Sequence, residues 1–217
     1  MLVERQRSAM RSRVLFRDSA GLTLFLIGAV AVSLPRAAHA DDVTPPDVPH
    51  DLQVPVGNTA FLVGHADGTQ NYVCLPSSSG FAWTLFTPQA TLFDDQDKEL
   101  ITHFFSPNPS ENGTIRATWQ HSRDASTVWA AAINNPVFVT KGAVPWLLLQ
   151  VPPNGTREGP TGGATLAGTT FIQRVNTHGG VAAPADCASS SDVGKKAFVP
   201  YTADYFFYKA ASASDGQ

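Results

Sequence analysis

The chain has 217 residues, 43 % hydrophobic and 15 % charged, with a formal net charge of −3. That length allows one domain of ordinary size with a short extra segment, and is enough to bury a sizeable core. The acidic balance argues against nucleic acid or an anionic membrane surface as partner, because both demand clustered Lys and Arg.

Residues 1–40 read as an export signal. Arg5, Arg7, Arg11, Arg13 and Arg17 make a basic start, Ala20 to Leu34 is an almost unbroken apolar run, and Ala38-His39-Ala40 has the small-x-small form of a cleavage site. The run falls short of the roughly twenty residues that span a bilayer, and no later apolar run is long enough to span one. The expectation is cleavage between Ala40 and Asp41 and an exported, periplasmic or extracellular protein. The remaining chain carries nine Lys and Arg against sixteen Asp and Glu, a net of −7.

Residues 41–51, acidic and proline-rich, read as an extended lead-in. A β domain is expected over 52–209. Thr59–Ala66 and Thr69–Leu75 flank Asp67-Gly68, which reads as a hairpin turn. Phe81–Thr87 and Ala90–Phe93 follow, with Pro88 as a break. Next come Leu100–Phe105, Thr114–His121, Ser126–Ala132, Val137–Thr140, Val144–Val151, Thr169–Thr177 and Ala203–Lys209. Pro145-Trp146-Leu147-Leu148-Leu149 lacks alternation, so it reads as a central strand buried on both faces. The stretch from Pro152 to Gly168 is a long Gly/Pro-rich loop, and residues 210–217 form a flexible tail. Helical periodicity is almost absent. The fold class is all-β: a single-domain β-sandwich or barrel of about ten short antiparallel strands. The two cysteines, Cys74 and Cys187, are expected to form a disulfide in an oxidising compartment.

Several phrases occur together in order: Gly68-Thr69-Gln70-Asn71-Tyr72-Val73-Cys74, His103-Phe104-Phe105, Ala117-Thr118-Trp119-Gln120 and Asp124-Ala125-Ser126-Thr127-Val128. Pro145-Trp146-Leu147-Leu148 follows, then Phe171-Ile172-Gln173-Arg174-Val175-Asn176-Thr177-His178-Gly179-Gly180. Cys187 and Tyr201-Thr202-Ala203-Asp204-Tyr205-Phe206-Phe207-Tyr208 complete the set. From about Leu52 to Tyr208 this pattern resembles the exported bacterial and fungal family catalogued as domain of unknown function 3455. Ala125 stands where the family's turn has Gly. The resemblance implies export and the cysteine pairing; it implies no activity.

No motif names a reaction. Ser126, His121 and Asp124 lie close in one hairpin, as a nucleophile, base and acid would, but no Gly-x-Ser-x-Gly elbow accompanies them. Asp94, Asp95, Asp97 and Glu99 crowd one turn without the glycine of an EF-hand loop. The histidines lack metal-ligand spacing, and no metal or cofactor is expected. The strand Phe171–Thr177 alternates, with Ile172, Arg174 and Asn176 on one face. Arg174 is thus a cation embedded among apolar neighbours, which demands either a carboxylate of the fold, such as Asp204 or Asp186, or an anionic ligand. The candidate site is Arg174 with Trp119, His121 and His103. The favoured function is a non-catalytic β domain that binds a small molecule, a glycan or another surface component. The alternative is a secreted hydrolase whose site assembles only in three dimensions.

Overall fold

A computed structural model describes residues 43–133 and 135–211; the expected signal peptide and most of the expected tail lie outside the described residues. Among the described residues, nine strands run in chain order: β1 (Asn58–Ser77), β2 (Gly80–Phe93), β3 (Glu99–Asn108), β4 (Thr114–His121), β5 (Thr127–Ala132), β6 (Leu147–Gln150), β7 (Thr156–Arg157), β8 (Thr169–Gly179) and β9 (Lys196–Ala210). All pairings are antiparallel, in the order β4-β3-β2-β1-β9-β8-β6-β5, and β5 returns to β4 from Ala117↔Ala130 to Gln120↔Thr127. Eight strands therefore close into a barrel, which removes the free sheet edges. The two-residue β7 adds to the start of β5.

The strands are fewer and several are longer than the sequence suggests. Asp67-Gly68 makes no turn. β1 runs straight through it, with Asp67 paired to Thr91 of β2 on one side and Thr202 of β9 on the other. Gly68 is there for close approach: a Cβ would lie 2.2 Å from Gln89 O and 2.5 Å from Ala90 Cα. The first hairpin turns after Ser77, which pairs with Gly80. Pro88 likewise does not break β2. It sits where β2 parts from β3, whose shared ladder stops at Ala90↔His103. A residue without an N–H fits where no strand accepts one. The expected strand Val137–Thr140 reduces to one bridge, Val137↔Trp146.

Two apolar clusters follow from strand alternation. Inside one half of the barrel, Leu92, Ile101, Val128, Leu166, Ile172 and Phe207 are each 0 % exposed. Outside, Leu52, Trp146, Leu148, Phe171, Val175, Phe206 and Tyr208 pack together, with Val43 and Val48 of the lead-in against them. Leu148 and Leu149 thus bury opposite faces of β6, the central strand expected from its unbroken apolar run. Gln173 points outward into the second cluster, donating to Leu52 O at 2.6 Å and accepting from Tyr208 Oη at 2.5 Å.

The long loop closes one end of the barrel. Leu166 enters the core, and its N–H donates to Ser126 Oγ at 3.1 Å. Asp124 holds the loop: Oδ2 accepts from Thr165 N at 3.0 Å and Oγ1 at 2.7 Å. The glycines let the loop lie flat on this turn, since a Cβ at Gly163 would come within 2.2 Å of Asp124 Cβ. Cys74 and Cys187 form the expected disulfide, with Cα atoms 5.6 Å apart.

Candidate functional site: a cavity in the open half of the barrel

The other half of the barrel is not filled. Where the closed half presents Leu92, Ile101 and Phe207, the open half presents Ala117 on β4 and Ala130 and Ala132 on β5. These small side chains, with the parting of β2 and β3, leave a cavity of about 520 Å³. That is within the range of small-molecule sites. Its rim is apolar and exposed, with Leu85, Ile115, Ala132 and Pro136 at the mouth. Its floor is polar and buried: Gln70, His103, Trp119, Arg174 and Tyr205 all line it, and none is more than 9 % exposed.

Three of the four residues singled out from sequence meet here. The rings of His103 and Trp119 stack at 4.3 Å with planes 10° apart, and Tyr205 lies against both, at 5.2 and 5.6 Å. Register explains the pair, since His103 of β3 is directly opposite Trp119 of β4. Arg174 projects inward from β8. His121, the fourth, does not join them. It shares the inward face of β4 but sits one step nearer the closed end, where Nδ1 meets Asp124 Oδ1 at 3.0 Å.

Arg174 has no carboxylate partner among the described residues. Its Nε and Nη2 both donate to Pro145 O, at 3.1 and 2.8 Å. Asp204 is engaged elsewhere, by His65 Nδ1 at 2.7 Å and Asn176 Nδ2 at 2.7 Å. One carbonyl satisfies two of five guanidinium donors and none of the charge. The second arginine of the lining, Arg116, is neutralised by Glu111, with Nη2 at 2.6 Å and Nε at 2.9 Å from its carboxylate.

His103 is uncharged at any ordinary pH. Burial pushes its pKa down to about 3, with a further push from the Arg174 charge, and the hydrogen bond to Thr118 O only partly opposes them. Nδ1–H donates to that carbonyl at 2.9 Å, so Nε2 is left as an acceptor. Gln70 lies beside the Tyr201 hydroxyl, yet among the described residues its Nε2 forms no hydrogen bond of good geometry, and Trp119 Nε1 has no partner either. Gln70 escapes a reading of the sequence because the turn assigned at Asp67-Gly68 cuts its strand. Read as one strand, β1 puts Gln70 on the same face as Ala66 and Gly68.

Among the described residues, the cavity lining contains no Asp, Glu, Ser, Thr, Cys or Lys. The Ser126–His121–Asp124 group at the closed end is not a catalytic array. Ser126 is 0 % exposed and its hydroxyl donates to Asp124 at 2.7 Å instead of to His121, so the nucleophile–base contact is missing. In the acidic turn, Asp94 Oδ1 accepts from the N–H groups of Gln96 and Lys98, both at 2.9 Å. Among the described residues, no three His, Cys, Asp or Glu side chains are placed to hold a metal ion.

Fold and site together define an all-β domain, an eight-stranded antiparallel barrel with a cationic, apolar-walled interior cavity. The chain belongs to the family described as Protein of unknown function (DUF3455), whose model matches residues 55–209. No curated protein and no solved structure matches it.

Proposed function

We propose that this domain is a non-catalytic binding protein that holds a small organic ligand inside the barrel, with Arg174 as the anchor. The observation that carries this reading is the guanidinium at the cavity floor, 9 % exposed and without a carboxylate. A buried charge left unpaired is costly, and a ligand anion would complete it. The hydrolase alternative finds no Ser, Thr, Cys, Asp, Glu or Lys among the described lining residues, and a histidine with a pKa near 3 is a poor general base at neutral pH. We place the protein outside the cytoplasm, after removal of residues 1–40. The signal-like start and the Cys74–Cys187 disulfide support that location.

The test uses anilinonaphthalene sulfonate, an anionic probe that brightens in apolar sites. The wild type should bind about one equivalent. Ala132→Trp, which narrows the mouth, and Arg174→Met, which removes the charge, should each abolish most of the signal while melting stays within a few degrees of wild type. Equal probe binding by Ala132→Trp would overturn the interior site. A large loss of stability in Arg174→Met would assign the arginine to the fold.

A further inference from the structure

Taking the interior site as given, we infer that its ligand is an amphipathic carboxylic acid, bound head inward: carboxylate on Arg174 at the floor, hydrocarbon tail toward the mouth. Four observations combine. First, polarity is segregated along the cavity axis. Gln70, His103, Trp119 and Arg174 lie at the buried floor, and Leu85, Ile115, Ala132 and Pro136 at the exposed rim. A ligand polar at both ends, or polar throughout, would leave hydroxyls unpaired against Leu147, Leu149 and Val144. A glycan is disfavoured on that ground.

Second, among the described residues the charge count at the floor is one. Arg116 is spent on Glu111, and His103 is neutral for the reasons above. One guanidinium matches a monoanion better than a phosphate dianion, and its planar fork suits the two oxygens of a carboxylate. Third, Arg174 is already oriented. The two bonds to Pro145 O fix the side chain, so little rotamer freedom remains to be lost on binding. Fourth, the length fits. Four residue steps along β4 lead from Ile115 at the rim to Trp119 at the floor, about 13 Å along the strand, room for the chain of a medium-length fatty acid. The neutral Nε2 of His103 adds an acceptor, which would favour an acid bearing a hydroxyl near its head.

The test is calorimetric titration of the full folded domain with octanoate, octanol and octyltrimethylammonium. Octanoate should bind about tenfold or more tightly than octanol, and the cation should not bind. Arg174→Met should weaken octanoate by about ten- to hundredfold, the range for loss of a charged hydrogen-bonded partner, and change octanol by less than about threefold. Arg174→Lys, which keeps the charge and loses the fork, should fall between. Dodecanoate should bind at least as well as octanoate, because the added carbons lie out between Leu85 and Ile115.

Three results would overturn the inference. Octanol binding as tightly as octanoate, with Ala132→Trp abolishing both, leaves the interior site standing and removes the carboxylate. A sharp loss from octanoate to dodecanoate refutes the head-inward orientation. Failure of every probe, anilinonaphthalene sulfonate included, removes the interior site itself.

Discussion

Asp124 is the side chain whose loss should damage this fold most for its size, and Asp124→Asn isolates the reason. The carboxylate is 19 % exposed and, besides its contact with His121 Nδ1, accepts from four donors, two on its own turn and two on the long loop. Oδ1 takes Ser126 N at 2.9 Å and Ser126 Oγ at 2.7 Å, and Oδ2 takes Thr165 N and Oγ1. Burial raises its pKa, but the hydrogen bonds from Ser126 and Thr165 outweigh that and hold it well below the usual carboxylate range. Asparagine keeps the shape and loses the charge. Four charge-assisted bonds become neutral or break, at about 0.5–1 kcal/mol each, and the Thr165 N–H faces an amide NH₂, at about 1–3 kcal/mol. The expected loss is about 4 kcal/mol, a large part of the 5–15 kcal/mol typical of a domain. At about 2–4 °C per kcal/mol for this size, the melting temperature should fall by roughly 8–16 °C.

The assay is urea unfolding at neutral pH, with limited proteolysis of the loop between Pro152 and Gly168. The variant should be cut there while the barrel persists, because Leu166 loses its tether. The pH dependence has a definite sign. A depressed folded pKa contributes stability above the unfolded value of about 3.9 that is lost as pH falls through the folded one. Wild type and variant should therefore converge in acid. A loss below about 1 kcal/mol at neutral pH, or a gap that does not close in acid, would refute the reasoning.

Replacing both Cys74 and Cys187 by Ala should cost about 4–5 kcal/mol on the chain-entropy model for a 113-residue separation, measured by denaturant midpoint; a cost under about 1 kcal/mol would mean that the unfolded chain gains little freedom. Ala125→Gly should stabilise by about 0.5–1 kcal/mol, because Ala125 holds a φ of 57° that a Cβ disfavours; unchanged or lower stability refutes the strain. His65 sits between Asp204 at 2.7 Å and Asp95 at 2.9 Å, and its pKa is raised above 6.5, first by the hydrogen bond it donates to Asp204. A raised pKa contributes stability below the unfolded value that is lost as pH climbs through the folded one. The stability gap between wild type and His65→Gln should thus be full in mild acid and shrink above pH 6.5, and a pH-independent gap would contradict it.

The sequence alone determines the all-β class, one domain and the disulfide, and it singles out Arg174 as a cation in need of a partner. These rest on local signals: alternation over Phe171–Thr177, the unbroken apolar run Trp146–Leu149, a pair of cysteines, and a cation among apolar neighbours. Alternation states that Arg174 and Ile172 share a face; it does not state what that face meets. Only the tertiary structure decides that the sheet closes, that β3 sets His103 against Trp119, and that Asp204 turns to His65 and leaves Arg174 on a backbone carbonyl. The same limit explains the misplaced turn. Asp67-Gly68 carries hairpin chemistry, but Gly68 answers to the backbone of Gln89 and Ala90, distant in sequence and 2.2–2.5 Å from where a Cβ would stand. The cavity has the same origin. Ala117, Ala130 and Ala132 are unremarkable small residues along the chain; side by side on the neighbouring strands β4 and β5, on the inner face of a closed barrel, they leave empty space with a charge at its floor.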